Sequence, residues 1–404
     1  MTLHAAIIAV GSEMLGPTRV DTNSLKITAA LESFGIPLVR KSIVGDRLED
    51  LVAEIRSATA EILIITGGLG PTEDDLTREA LCEAFGLTME IDESIAQWIA
   101  ARFAERSLRM PDVNRKQANV FPGQTTLRNQ RGTAPGFHIE AAGKQVWVFP
   151  GVPHELEWML ATYFTPWLES VSGGRRRHRR VLKIAGVTES GVEEKLKPYY
   201  VRHPGELVTI LASGGQIEVH LGGESLDDIA TRESEITNIF GHRLFGFDDD
   251  TLESVVGALL LKRGETLSTA ESCTGGLLGS RITDVAGSSA YYLGGAICYT
   301  AAAKTSLAGV DPELIRANGE VSEAVATALA RGVRERFGST WGVGITGIAG
   351  PTGGSDEKPV GTVHIAVSGA NGDTHRKLFW PASRTMVKWF STQAALDLLR
   401  RQLL

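Results

Sequence analysis

Ala5 to Val10 (AAIIAV) is continuously apolar, the pattern of a strand buried on both faces. A polar loop from Gly11 to Asn23 leads into a helix ending at Gly35, and further strands are predicted near Pro37 to Val44 and over Glu61 to Thr66. Between those strands Asp46 is expected to cap a helix, with Glu49 completing a capping box and Leu48, Leu51, Val52 and Ile55 as its apolar stripe. This strand–helix alternation predicts a doubly wound parallel sheet with ligands bound beyond the carboxyl ends of its strands.

The pattern changes at SGGRRRHRR, where Ser172 to Gly174 reads as a linker and the arginines as a solvated strand start. Val181 to Gly186 reads as a strand, and Ser190 with Glu193 as the capping box of a helix through Leu196. Leu207 to Ser213 and Gln216 to Leu221 form a hairpin through Gly214 and Gly215, before a second helix over Leu226 to Phe240. The βαββα order is that of a small α+β domain. The acidic run Asp248 to Asp250 opens the last segment, where Asp250 and Glu253 suggest another capping box. Thr266 to Ala270 is a predicted strand, followed by a helix opened by Thr274, Gly275 and Gly276. Asp311, Pro312 and Glu313 mark one later helix start and Ser322 another, the latter with Val325, Leu329 and Val333 on its apolar face. Trp341 to Gly347 is a buried strand, and the long Gly/Pro loop between it and the strand Thr362 to Val367 suggests a ligand lid. Three domains follow: residues 1–171, 172–247 and 248–404.

Composition narrows the class. A chain of 404 residues with 43% hydrophobic and 22% charged content is ordinary for globular protein, and a net charge of -7 gives no general attraction to nucleic acid or anionic lipid. Cys82, Cys273 and Cys298 lack the spacing of a disulfide framework or a zinc site. No segment approaches a membrane helix and the N-terminus has no signal-peptide pattern, so a reducing cytoplasm is expected.

Two stretches carry chemistry. In TAESCTGGLLGSRITDVAGSSAYYLGGAICYTAAAK, Ser272 stands between a strand and a helix start, with Ser288, Ser289, Tyr299 and Lys304 downstream. A hydroxyl needs a base to become a nucleophile, and Lys304 is the candidate. Backbone amides at the turn would favour an oxyanion, and Gly275 and Gly276 would let substrate approach them. A cap and turn without catalysis is the competing reading. Cys273 is either a thiolate nucleophile or a small buried residue, burial being preferred.

The second stretch is ITGGLGPTEDDLTREAL. Gly67, Gly68 and Gly70 would let amides converge on an anion. Glu73, Asp74 and Asp75 either compensate a helix dipole or hold a divalent cation of the hard-oxygen class. The metal reading is preferred, with Asp75 first. Arg115 and Lys116 are either phosphate partners or solvated charges.

The runs AESCTGG, GSSAYYLGG, CYTAAAK, VSEAVA, GITGIAGPTGG and EKPVGTVHIA resemble, in order, the C-terminal domain of the CinA (competence/damage-inducible) family. The resemblance implies an α/β amidase domain that deamidates nicotinamide mononucleotide without a cofactor. It assigns Ser272, Ser289, Tyr299, Lys304 and Thr346 to the active site, with either serine as nucleophile; Gly350 is a further candidate for substrate binding, and Arg384 is either a phosphate partner or a surface charge. TGGLGPTEDD, NRKQA, GTAPGF and FPGVPHEL likewise resemble the family's molybdopterin-binding-like N-terminal domain. That likeness implies a metal-dependent ADP-ribose pyrophosphatase, with Asp75, Asp74 and Glu13 toward the metal and Gly67, Gly68, Gly70 and Lys116 toward substrate. The segment GPTRVDTN after GSEML departs from the family pattern, which keeps a non-catalytic nucleotide-binding module open as an alternative; a competence-linked interaction protein is another. The middle domain resembles a KH-like fold but lacks the GxxG clamp, so it is assigned to spacing and assembly rather than RNA. A homodimer is implied by the resemblance.

Overall fold

A computed structural model describes residues 3–204 and 208–404. It comprises two compact units, one reaching His178 and the other running from Arg179 to Leu404. Leu207, expected to begin a strand, lies outside the described residues.

In the first unit the apolar run becomes the strand Ala5–Val10, buried throughout. It lies between Leu38–Val44 and Ile62–Thr66, both parallel to it, and Lys144–Phe149 pairs in parallel with Ile62–Thr66. Because successive side chains of a strand point to opposite faces, Ala6, Ile8 and Val10 join one apolar cluster while Ala5 and Ile7 join another. Helices cover both faces, as a doubly wound sheet requires. One edge is antiparallel: Gly136–Ala141 runs back along Lys144–Phe149, and Thr125–Leu127 along Gly136–Ala141. The two-residue turn Ala142–Gly143, with φ of 50° and 73°, has the mirror-image geometry that suits a tight hairpin.

The second unit holds two sheets. In the first, Val208–Ser213, Gln216–Gly223, His178–Ala185 and Leu244–Phe247 lie in that order, with the helices Glu189–Arg202 and Leu226–Phe240 packed on their apolar face. The expected βαββα order is present, extended by one strand. In the second sheet the order is Tyr292–Ile297, Leu267–Glu271, Trp341–Gly347, Thr362–Gly369 and Gly372–Phe379. Its first three strands are parallel and the last two antiparallel. The C-terminal helix Arg384–Leu403 packs against Leu252–Arg263 and this sheet, and also reaches the first sheet: Trp389 Nε1 donates to Gly214 O at 2.7 Å and Arg400 Nη2 to His242 O at 2.6 Å.

All three expected capping boxes are displaced. Arg47, not Asp46, precedes the helix Leu48–Ser57, and Asp46 instead accepts from Ser12 N. Thr188 caps the helix expected to start at Ser190, and Thr251 with Ser254 forms the box expected of Asp250 and Glu253. In the last two cases a neighbouring hydroxyl takes the first-turn amide, the position of the incoming chain deciding which side chain reaches it, whereas the helix Leu48–Ser57 has no side-chain cap.

Candidate functional site

Ser272 follows directly on the strand Leu267–Glu271; its amide donates to Ile345 O at 2.9 Å, and the residue is 6% exposed. Gly275 and Gly276, at φ of 62° and 93°, form a left-handed turn, so the helix begins only at Leu277 and not at Thr274 as expected. The reason lies one residue before the serine. The buried carboxylate of Glu271 accepts from Gly276 N at 3.1 Å, Leu278 N at 3.0 Å and Gly279 N at 2.8 Å, filling the amides a helix start leaves open.

This corrects the expected anion cradle. Gly276 N belongs to Glu271 and Gly275 N to Ser272 O. Among the described residues, the amides at this turn without an acceptor are those of Cys273 and Thr274, and the buried Thr274 hydroxyl also has no partner. Burial pushes the Cys273 thiol up to about 12, outweighing the nearby charges of Arg384 and Lys304, so Cys273 is a buried thiol and not a thiolate.

Lys304 sits on the helix Ala301–Ala308, which Thr300 caps, and its side chain is 1% exposed. Its Nζ lies 2.7 Å from Glu320 Oε2, while the buried Thr346 donates its hydroxyl to Glu320 O at 2.8 Å. Lys304 and Thr346, 42 positions apart, thus meet on one residue the sequence reading missed. Glu320 precedes a helix in a polar loop and carries no local signature. A second chain of contacts runs over the outer side: Arg384 donates to Gly350 O at 2.7 Å and to the exposed Tyr299 hydroxyl at 2.9 Å. Ser289 is exposed on the short turn Ser288–Ala290 and makes no hydrogen bond among the described residues.

In the N-terminal unit a cavity of about 650 Å³ lies at the carboxyl ends of the parallel strands, and Glu13, Gly67, Gly68, Gly70, Asp74 and Asp75 all line it. Glycine is required here for close packing, since a Cβ on Gly67 would stand 2.3 Å from Val10 O and one on Gly68 2.2 Å from Thr77 Oγ1. The amides do not all face the cavity: Gly67 N donates to Phe149 O and Gly70 N to Asp75 Oδ1. Asp75 is the loop's own acceptor, its second oxygen taking Thr72 N at 2.8 Å, and Thr72 Oγ1 also bonds Asp74. Lys116 braces the same loop, donating to Thr72 O and Asp75 O beside Glu79, and Arg115 pairs with Glu93.

A divalent ion would need several of these oxygens at once. Glu13, Asp74 and Asp75 share the wall, but no group of three such ligands converges among the described residues. As arranged, this donor set does not fit a metal held by Asp75. Asn23 and Glu155 also line the wall. Asn23 donates to Gly151 O and Thr66 Oγ1, leaving its buried Oδ1 without a partner, and burial raises the carboxyl of Glu155 against the opposing hydrogen bond from Asn129. Glu155 stands within FPGVPHEL, so its motif was visible although its role was not.

Residues 249–403 match the family described as "CinA C-terminal domain", and residues 6–170 the one described as "Probable molybdopterin binding domain". A CinA-like protein of Solibacter usitatus is 41% identical over 99% of this chain and 98% of its own length, and one of Koribacter versatilis is 40% identical over 99% and 100%. Among solved structures, the competence/damage inducible protein CihA of Agrobacterium tumefaciens is 39% identical over 38% of this chain and 93% of its own, with a TM-score of 0.37. With whole-length relatives at this identity and both segments matched in order, the chain belongs to the CinA family.

Proposed function

We propose that the C-terminal segment hydrolyses the carboxamide of nicotinamide mononucleotide to the carboxylate, releasing ammonia. The observation that carries this reading is the buried Lys304, held by Glu320 and near enough to the turn for its charge to act on Cys273, the residue after Ser272. In the reaction the Ser272 oxygen attacks the carboxamide carbon, and the Lys304 ammonium gives a proton to the departing nitrogen while it takes up the serine's in its place. The acyl ester is then cleaved by water, which returns the proton to the serine oxygen. The free amides of Cys273 and Thr274 supply the donors to the developing oxyanion that Gly275 and Gly276 do not. Arg384 links the Tyr299 hydroxyl to Gly350 O.

Product analysis tests this and the choice of serine together. The unaltered chain should yield equimolar ammonia and nicotinate mononucleotide, Ser272→Ala should yield neither, and Ser289→Ala should retain turnover. The reverse order would make Ser289 the nucleophile.

For the N-terminal unit we infer a site for a nucleoside diphosphate sugar, ADP-ribose being the substrate and the pyrophosphate the bond cleaved. The cavity at the strand ends supports this reading. Formation of AMP and ribose 5-phosphate tests it, and calorimetric binding without products would make the unit a binding module.

A further inference from the structure

The C-terminal helix opens with Ser383 as its cap, followed by Arg384, and Lys388 stands four residues on, on the same face. Arg384 spends two of its amino groups inside the protein, on Gly350 O and the Tyr299 hydroxyl. Lys388 is different. It is half-buried, and among the described residues it makes no hydrogen bond or ion pair. Other cations of this unit are engaged: Arg281 with Glu253, Arg400 and Arg401 with Asp397.

The ammonium has a definite place. A Cβ built on Gly275 would stand 3.9 Å from Lys388 Nζ, with no other atom as near to it. Gly275 N donates back to Ser272 O at 3.1 Å, closing a turn whose ends are within about 7 Å of one another. A cation without a partner among the described residues therefore lies beside the turn that begins at Ser272. Glu271, the acidic side chain of the turn, accepts three backbone amides and makes no ion pair with Lys388. A half-buried cation without a counter-charge is unfavourable until an anion arrives. A phosphate joined through ribose to the carboxamide-bearing ring would place one end on Lys388 and the other on Ser272.

We propose that Lys388 binds the phosphate of the substrate and so makes the site select mononucleotides over the corresponding nucleosides. The inference rests on the deamidase reading for its substrate, and it assigns the phosphate to Lys388 rather than to Arg384, whose donors position Tyr299.

The test compares nicotinamide mononucleotide with nicotinamide riboside, which lacks the phosphate, for the unaltered chain, Lys388→Ala and Lys388→Arg. A lost charge-assisted contact predicts a KM for the mononucleotide raised on the order of 10–100-fold in Lys388→Ala, with kcat falling far less. The loss of kcat/KM on the mononucleotide should exceed that on the riboside by about tenfold or more, and Lys388→Arg should recover most of it. Equal losses on both substrates, or an unchanged KM, would overturn the proposal. Should the unaltered chain turn over neither compound, the deamidase reading falls by itself. Calorimetry with nicotinamide mononucleotide then decides on Lys388: weaker binding by Lys388→Ala upholds the phosphate contact, and equal binding ends it.

Discussion

The ammonium of Lys304 lies 2.7 Å from Glu320, yet the two partners are unequally enclosed: the lysine side chain is 1% exposed and the glutamate 47%. Water can therefore solvate Glu320 if the lysine is removed, whereas an ammonium left without Glu320 would be stranded. Lys304→Ala should reduce turnover on the order of 10²–10⁴-fold while the protein stays folded. Glu320→Gln should instead lower stability, by about 1–3 kcal/mol, less than for a fully enclosed pair. Ammonia assays and urea unfolding on the two variants check the contrast, and a Lys304→Ala protein with full activity would remove the lysine from the mechanism.

Glu271 fixes the turn that presents Ser272 by accepting three amides from within the buried interior. A glutamine there keeps one carbonyl and turns an N–H₂ toward amide donors. Glu271→Gln is expected to cost about 2–3 kcal/mol and, if Ser272 acts as proposed, to lower kcat more than it raises KM, because Ser272 is displaced while the outer contacts persist. Unfolding midpoints with steady-state kinetics read both effects. An unchanged midpoint would mean the carboxylate is not the helix cap.

Cys273 adjoins Ser272, but its thiol is pushed up to about 12 by burial. Alkylation by iodoacetamide near neutral pH should be slow in the folded chain, and Cys273→Ser should keep activity within about threefold, as expected of a thiol that is not ionised. Rapid alkylation with parallel loss of activity would reverse the assignment.

His364 and His375 stack across two antiparallel strands, Nδ1 to Nε2 at 3.0 Å. Burial, and then the field of His375, Lys377 and Lys358, lowers His364 to about 4 against a weaker opposing pull from Glu323; burial lowers His375 as well. The unfolded chain then binds more protons than the folded one between the ordinary histidine range and about pH 4. Stability from this pair is complete above the ordinary range and falls as pH drops through that window. Melting temperatures measured from pH 7 to 4.5 should decline, and His364→Gln should flatten the decline. Equal slopes in both proteins would place the acid sensitivity elsewhere.

Much of this architecture was legible because buried parallel strands are written as apolar runs: AAIIAV and the stretch from Trp341 gave their strands directly. The edge strand Gly372–Phe379 was not legible, since partly exposed positions such as Lys377 and Phe379 give no alternation to read. The C-terminal helix was missed for the opposite reason. It is enclosed on several sides and buries Ser391, Thr392, Gln393, Asp397 and Arg400 along with its leucines, which blurs the one-sided stripe. At the sites, glycines marked the turns correctly but not what their amides would bond. Glu271 and Asp75 fill amides that glycine spacing alone assigned to a ligand, and which partner fills them depends on tertiary contacts. Glu320 joins Lys304 only because the chain between them folds back.

Amide hydrolysis by the buried Lys304 and the Ser272 turn is the proposed reaction on which the other residue roles depend. Ammonia release from nicotinamide mononucleotide by the full chain, after exhaustive treatment with a chelator, tests it most directly. Sustained release, abolished in Ser272→Ala, is the predicted result. No release, with or without added divalent metal, would contradict it and leave the C-terminal segment a ligand-binding module.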